Sequence, residues 1–475
     1  MRCLPFRFAS LVFLLVLAVP AQALQTRVLF EQTLAVALNG EEVGTMTARD
    51  QQTSDGFILE RENDLRLTRG ATRTTLRTKA IVRLGPDRKP LSYHFERADP
   101  SGTLSSDGVV QGDTLVLTTT QNGARVTNRV ALPPGATFAL AVENEVRMAP
   151  RDGLSQERAV ILEELGAVVQ LKTSVRKLNK TPPTFLVTSS FSGMSTEEEI
   201  DAKGSTLMSR TPSVNMVAYP VGRAPAHVGA GKADLLAVST WETKAVPSPA
   251  ARVRYRITTA DAAAFAVPED ARQKVTKRTG TYVEIEVDDR KTVGRTSASN
   301  VDAATLARLR QATPYEAIED KRISSTAAQV VQGAKSDRDK IALLNNFVYR
   351  LVEKKSLDRG YAPAVTTLEA KAGDCTEHSV LLSALLRSLG FATRIADGVI
   401  VDGTHAGYHE WIEVFVPGEG FVAADPTFNA FPAGAERLKL AQGSTMPDEQ
   451  LQLSLAAARL LRNGVKVEVL SAEGR

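Results

Sequence analysis

The chain has 475 residues, of which 43% are hydrophobic and 24% charged, with a formal net charge of +4 and two cysteines. At roughly 150 residues per domain that length suggests about three domains and a sizeable core, and the composition excludes a disordered or fibrous chain. Acids and bases alternate, as in "ERENDLRLTR" (60–69), which argues against nucleic acid as the main partner, because phosphate binding needs clustered Lys and Arg.

The first segment stands apart from the rest. Arg2 and Arg7 precede the apolar run "FASLVFLLVLAVP" (8–20), and Ala21-Gln22-Ala23 has the small-x-small form of a signal-peptidase site. The run is shorter than the about 20 apolar residues a span requires. Residues 1–23 therefore read as a signal peptide cleaved after Ala23, with an uncleaved anchor as the alternative. The protein is expected to be exported and soluble, most simply periplasmic, because no later segment is long and apolar enough to span. Cleavage also removes Cys3, leaving Cys375 as the sole cysteine. Oxidising compartments favour paired cysteines, so a lone thiol calls for an explanation. The bland one is a buried cysteine acting as a small hydrophobe.

Residues 24–220 read as a β-rich domain. Leu34, Val36 and Leu38 alternate up to Asn39-Gly40, and the plan repeats around Asn122-Gly123; alternation on both sides of Asn-Gly is a strong hairpin signal. Successive hairpins suggest an antiparallel sandwich or an open barrel. No cluster of Asp, Glu, His or Cys there points to chemistry. The Pro-, Gly- and Ala-rich stretch at 218–233 looks like a boundary. A mixed connecting segment, 234–298, holds the strand candidates 251–257 and 281–287.

Helical periodicity takes over in 299–475, whose core is expected at 336–440. Ser336 is a candidate N-cap with Asp339 three residues on, and Ile341, Leu344, Val348 and Leu351 form one stripe. Cys375, Leu382, Leu385, Leu386 and Leu389 share a second helix face that ends at Gly390. Three strand candidates follow (392–401, 408–416 and 421–428), with a tight connection at "PGEG" (417–420). The tail returns to helix at 449–464 and ends in a strand candidate, 465–470.

The candidate chemistry starts at Cys375, at the first turn of its helix. Unpaired N–H groups and the helix dipole favour negative charge there, so a lowered thiol pKa is expected, and the thiolate is the nucleophilic form. Gly373 is expected to leave room for a substrate backbone, and Asp374 to cap the helix. Of the five histidines (His94, His227, His378, His405 and His409), three closely follow Cys375. His409 opens an alternating strand on which Trp411, Glu413 and Phe415 point to the same side. A rigid strand can hold an imidazole against a helix N-terminus. Asp425, at the end of "FVAAD", can stand behind His409 if the strands are adjacent, although register is not readable from sequence.

Three stretches now stand in order: "AGDCTEHSVLLSALLRSLGFATR", "HEWIEVFVPGEGFVAADPT" with its His-x-Trp-x-Glu-Val start, and the closing Asp-Pro-Thr. Together they resemble the transglutaminase-like superfamily of thiol enzymes over roughly 336–428, with weaker similarity in "ERLKLAQG". The resemblance implies an α+β fold with a papain-like core, a helix packed on an antiparallel sheet, here preceded by the antiparallel β-rich domain. It implies Cys375 as nucleophile, His409 as general base and acid, Asp425 as orienting carboxylate, and Trp411 as a packing residue beneath them. It also implies acyl transfer through a Cys375 thioester, with a protein or peptide substrate, no cofactor and no nucleic acid. Family members that cross-link proteins carry Gln-Cys-Trp, whereas this chain has Asp-Cys-Thr, which favours hydrolysis slightly. Tyr361 is a conceivable oxyanion donor without support in the sequence.

Two other readings compete. Cys375-x-x-His378 with His405-x-x-x-His409 has zinc-ligand spacing, but one Cys with three His is an uncommon set and leaves Asp425 unexplained. His378 reads more simply as a first-turn polar residue and His405 as part of a solvated loop. A non-catalytic binding module of the cell envelope that keeps the fold is the other alternative. Calcium is not indicated, because no Asp-x-Asp-x-Asp-Gly loop occurs.

Overall fold

The structure, a computed structural model, describes residues 26–475 except 71, 122, 230–233, 235–238, 261, 264, 291–300, 356–360 and 461–463. The expected signal peptide and Asn122 of the second hairpin lie outside the described residues. No helix among the described residues is long and apolar enough to cross a membrane.

Fifteen strands between Arg27 and Pro220 form one sheet, antiparallel in all pairings but the last. The first strand, Arg27–Leu38, pairs with both Glu41–Thr53 and Met216–Pro220, so two arms of sheet run outward from it. Asn39 and Gly40 take φ of 52° and 82°, the left-handed turn that Asn-Gly favours. A helix that sequence reading did not anticipate, Ala139–Met148, touches Gly56–Arg69 and Thr72–Leu84 in one arm and Ser155–Leu162 in the other. The sheet therefore curls around it. Of the two architectures expected, this is the open barrel. Polar side chains of the helix find partners in the sheet, as burial demands, although the buried Arg147 Nε has none. Glu143 bonds Arg61 at 2.9 Å, Arg147 bonds Glu198 at 3.1 Å, and Asn144 bonds Asp50 at 2.6 Å.

Two smaller sheets follow. One runs in the order Gln273–Arg278, Tyr282–Asp288, Ala250–Thr258, Lys466–Gly474, so the last strand of the chain joins strands of the connecting segment. The other runs Thr240–Glu242, His405–Val416, Thr393–Asp402, Arg437–Gly443, with Gly420–Ala424 also against His405–Val416. The helix Asp337–Leu351 starts as its sequence indicates, with the Ser336 hydroxyl accepting from the Asp339 N–H. The helix Cys375–Ser388 packs on His405–Val416, and its Leu382, Leu385 and Leu386 share one apolar cluster with Ile412, Val414 and Val416. Side chains alternate along a strand. Ile412, Val414 and Val416 thus face the Cys375 helix, and Trp411 packs on the other face with Ala396, Ala423 and Ala433.

Candidate active site

Local chemistry sets the start of the Cys375 helix. Asp374 is its N-cap: the carboxylate accepts the Thr376 N–H at 3.0 Å, while Glu377 reaches back to the Asp374 N–H at 2.8 Å. This reciprocal box satisfies two donors that the helix itself cannot. A Cβ at Gly373 would collide with the Glu377 side chain. The space at Gly373 is therefore taken by the capping box and is not open to a substrate backbone, as had been expected. Cys375 is the first helical residue and is half-buried.

The sheet is notched where this helix end meets it. Thr240–Glu242 pairs with residues 405–407 of the His409 strand, and Gly420–Ala424 pairs with 412–416. Between them the edge at 408–411 has no strand partner among the described residues. The backbone N–H of Glu410 points from that edge at the Cys375 sulfur. Cys375 thus lies beside the backbone of the residue that follows His409.

His409 and Asp425 meet directly, with Nε2 and Oδ2 2.8 Å apart and both side chains buried. Asp425 sits just past the strand Gly420–Ala424, which pairs with the His409 strand through Ile412 and Ala424. Arg437 donates through Nε to the same Oδ2 at 2.6 Å, and the Thr427 N–H donates to Oδ1 at 2.9 Å. Burial alone would raise the pKa of Asp425, but His409 and Arg437 together hold it well below the usual carboxylate range. An ionised Asp425 can only accept, so Nε2 carries the imidazole proton and Nδ1 is left as the basic nitrogen. Trp411 stacks on the imidazole with centroids 6.1 Å apart, and Phe428 meets it edge-on at 5.4 Å. The Trp411 side chain is buried, as a packing residue should be.

The expected thiol pKa needs correction. Burial, Asp374 and Glu410 push the Cys375 thiol well above its ordinary pKa, and the helix start does not reverse this. The expected lowering fails because burial, the largest cause, and the neighbouring acids both disfavour the thiolate. His378 is the first-turn polar residue that its position suggested, fully buried with Nδ1 2.5 Å from the Asp374 carbonyl. The zinc arrangement also fails on geometry. His405 is exposed at the strand start, and four residues along a strand separate it from His409 by about 13 Å. Among the described residues no group of three or more His, Cys, Asp or Glu side chains could hold a metal.

Sequence reasoning missed several residues at this site. Arg437 lies in "ERLKL", where the only hint was weak similarity. Tyr408 and Glu410 of the His409 strand lie near the sulfur, and the Tyr408 hydroxyl donates to Asp397 on the next strand at 2.9 Å. Tyr361, weighed as an oxyanion donor, instead gives its hydroxyl to Glu410 at 3.0 Å.

The geometry defines a thiol-enzyme-like core, with a cysteine at a helix start beside a strand whose His409 meets Asp425 from just past the next strand. Residues 324–426, which include Cys375, His409 and Asp425, match the transglutaminase-like superfamily. This part of the chain is a transglutaminase-like domain. No curated protein matches the chain. Among solved structures, a protein from Cytophaga hutchinsonii, provisionally described as a cysteine protease, is 12% identical with a TM-score of 0.32, over 50% of this chain and 90% of that one. A β-barrel-like protein of unknown function from Brucella abortus is 10% identical with a TM-score of 0.32, over 40% of this chain and 94% of that one. At those scores neither likeness bears on fold or chemistry.

Proposed function

We propose that the protein is a transglutaminase-like thiol enzyme that cleaves or transfers peptide or glutamine amides through a thioester on Cys375. The observation that carries this reading is the 2.8 Å contact from His409 Nε2 to Asp425, which frees Nδ1 on a residue whose neighbour's N–H points at the sulfur. In the reaction the thiol proton passes to Nδ1 as sulfur adds to the amide carbonyl. N–H groups at the helix start, including that of Cys375, stabilise the oxyanion by about 3 kcal/mol per donor. His409 then protonates the leaving amine and the C–N bond breaks, leaving the thioester. Water or a second amine resolves it, with His409 taking the proton of whichever attacks. The Asp-Cys-Thr sequence favours water. Asp425, backed by Arg437, orients the ring and stabilises the imidazolium. The substrate is a protein or peptide of the cell envelope, and the signal-like N-terminus supports export to the periplasm.

A second reading, a binding module without turnover, draws support from the raised thiol pKa. One experiment separates the two. Incubating the protein with cell-envelope extract, with and without a small primary amine, and analysing it by mass spectrometry should reveal an acyl adduct on Cys375. New peptide termini would indicate hydrolysis, and amine incorporation would indicate transfer. Cys375→Ala should abolish the adduct with the thermal melt little changed, because one small side chain replaces another. An adduct that persists in this variant, or none in the natural chain, overturns the enzyme reading.

A further inference from the structure

The large sheet encloses a cavity that the thiol chemistry does not use. Its volume is about 380 Å³, within the roughly 300–1,000 Å³ of small-molecule sites. The walls are the inner faces of both arms and the helix Ala139–Met148, and Leu34, Met46, Phe95, Leu171, Val187 and Phe191 make much of them apolar. Register adds a polar row to one wall. Thr173 of Ala167–Leu178 lies opposite Ser189 of Thr184–Phe191, and Ser189 lies opposite Thr196 of Met194–Asp201. The Thr196 hydroxyl meets that of Thr211, on Thr206–Thr211, at 3.1 Å. All four hydroxyl residues line the cavity, so the row crosses four adjacent strands.

The buried charges of the wall are already answered. Arg61 pairs with Glu143 at 2.9 Å and with the fully buried Asp50 at 2.6 Å, and Arg147 pairs with Glu143 at 3.0 Å and Glu198 at 3.1 Å. Glu163 accepts the Leu140 N–H at 3.1 Å, and burial pushes its carboxyl up to about 8, so it is neutral near pH 7. The remaining acid, Glu164, is exposed. A charged head group brought into this cavity would find no free counter-charge and would be stranded. The hydroxyl row differs. Thr173 is only 3% exposed, and its hydroxyl has no hydrogen-bond partner among the described residues. Buried polar groups are rarely left unpaired, so this hydroxyl marks where a polar group of a bound molecule belongs.

We propose that this cavity binds a single-chain amphiphile with a non-ionic hydroxyl head, its chain along the apolar walls and its head bonded to Thr173 and Ser189. A chain of methylenes leaves water without disturbing any of the ion pairs. A sugar or a peptide would need more polar partners than one row of hydroxyls supplies, and an anionic lipid would strand its charge. The cavity shares no wall residue with the surroundings of Cys375, so the site stands whether or not the thiol turns over. It also gives chemistry to the part of the chain in which no catalytic cluster is found.

The test is isothermal titration calorimetry of the full chain with decanol and with decanoate, which differ in the charge of the head. Decanol should bind saturably at one site. Decanoate should bind roughly tenfold more weakly, or not at all, at neutral pH, because its carboxylate would be buried unpaired. Thr173→Val keeps the side-chain shape and removes only the unpaired hydroxyl. It should weaken decanol roughly five- to tenfold without lowering the thermal melt. Ala48→Phe places a ring on the cavity wall and should abolish decanol binding. A purely structural role for Thr173 would move the melt and leave the affinity alone. No saturable binding of decanol, equal affinity for decanoate, or unchanged affinity in either variant overturns the proposal. Should Ala48→Phe fail to fold, Thr173→Val and the two probes still decide.

Discussion

Asp425 accepts four hydrogen bonds at zero solvent exposure, from His409, Arg437 and the Thr427 and Phe428 N–H groups. Arg437 is equally buried and also pairs with Glu436, so one guanidinium neutralises two carboxylates. Removing one partner of a buried pair is costly because it strands the other charge, at about 3–5 kcal/mol. Arg437→Met should therefore destabilise the protein by about that much at pH 7, as measured by urea unfolding. The sign with pH follows from Asp425, whose folded pKa is depressed. Its contribution is present above the unfolded pKa of about 3.9 and is lost as pH falls toward the folded value. The gap between the natural chain and Arg437→Met should accordingly narrow from pH 7 to pH 3.5, and an equal gap at both would show that the arginine acts by packing alone. Arg437 was not legible in the sequence, because nothing local marks which arginine a distant carboxylate will need. The residues with a chemical signature beside them, Cys375, His409 and Asp425, were the ones the sequence singled out, and of these His409 and Asp425 meet. Asp397 and Glu410 became partners only through strand register, which sequence does not print.

Elements announced themselves in proportion to how local their causes were. The Asn39-Gly40 hairpin, the Ser336 cap and the Asp374 cap depend on side chains within three residues, and all three formed as read. The helix Ala139–Met148 did not stand out, because it is enclosed by sheet and buries Asn144 and Arg147, which blurs the apolar stripe an amphipathic surface helix would show. Close backbone approach is just as invisible in sequence. Gly398 lies opposite His409 on the neighbouring strand, and a Cβ there would fall on the Leu438 carbonyl oxygen, where the pairing with Arg437–Gly443 shifts register. Backbone cannot step aside as a flexible side chain can. Gly407, on the His409 strand itself, has only the Ser239 carbonyl oxygen at 3.9 Å in the way. Gly398→Ala should thus lose about 1–3 kcal/mol of stability, whereas Gly407→Ala should stay within about 0.5 kcal/mol. Comparing the two by thermal unfolding controls for the general effect of replacing glycine in a strand. Equal losses would mean that the close approach at Gly398 carries no cost.

At the scale of the molecule, the β-rich part and the transglutaminase-like part share interior. One apolar cluster runs from Phe95, Leu115 and Leu117 of the large sheet to Tyr315, Ile323 and Leu382 among the helices. Polar contacts cross the same junction: the Gln121 side chain donates to the Tyr361 carbonyl at 3.4 Å, and Arg97 hydrogen-bonds Tyr315, which packs edge-on against Tyr361 with centroids 5.0 Å apart. The large sheet thereby holds the residue whose hydroxyl meets Glu410, one step from the sulfur. At the other end of the chain, Lys466–Gly474 pairs with Ala250–Thr258, so the connecting segment and the tail cannot unfold separately. Units that share a core lose it together, because exposing one side of the cluster exposes the other. Calorimetry of the described chain should accordingly give a single transition whose calorimetric and van't Hoff enthalpies agree, despite a length that would ordinarily suggest several domains melting apart. Two resolved transitions, with Cys375 alkylation unaffected by the first, would mean that the large sheet is a passenger and not a support of the site.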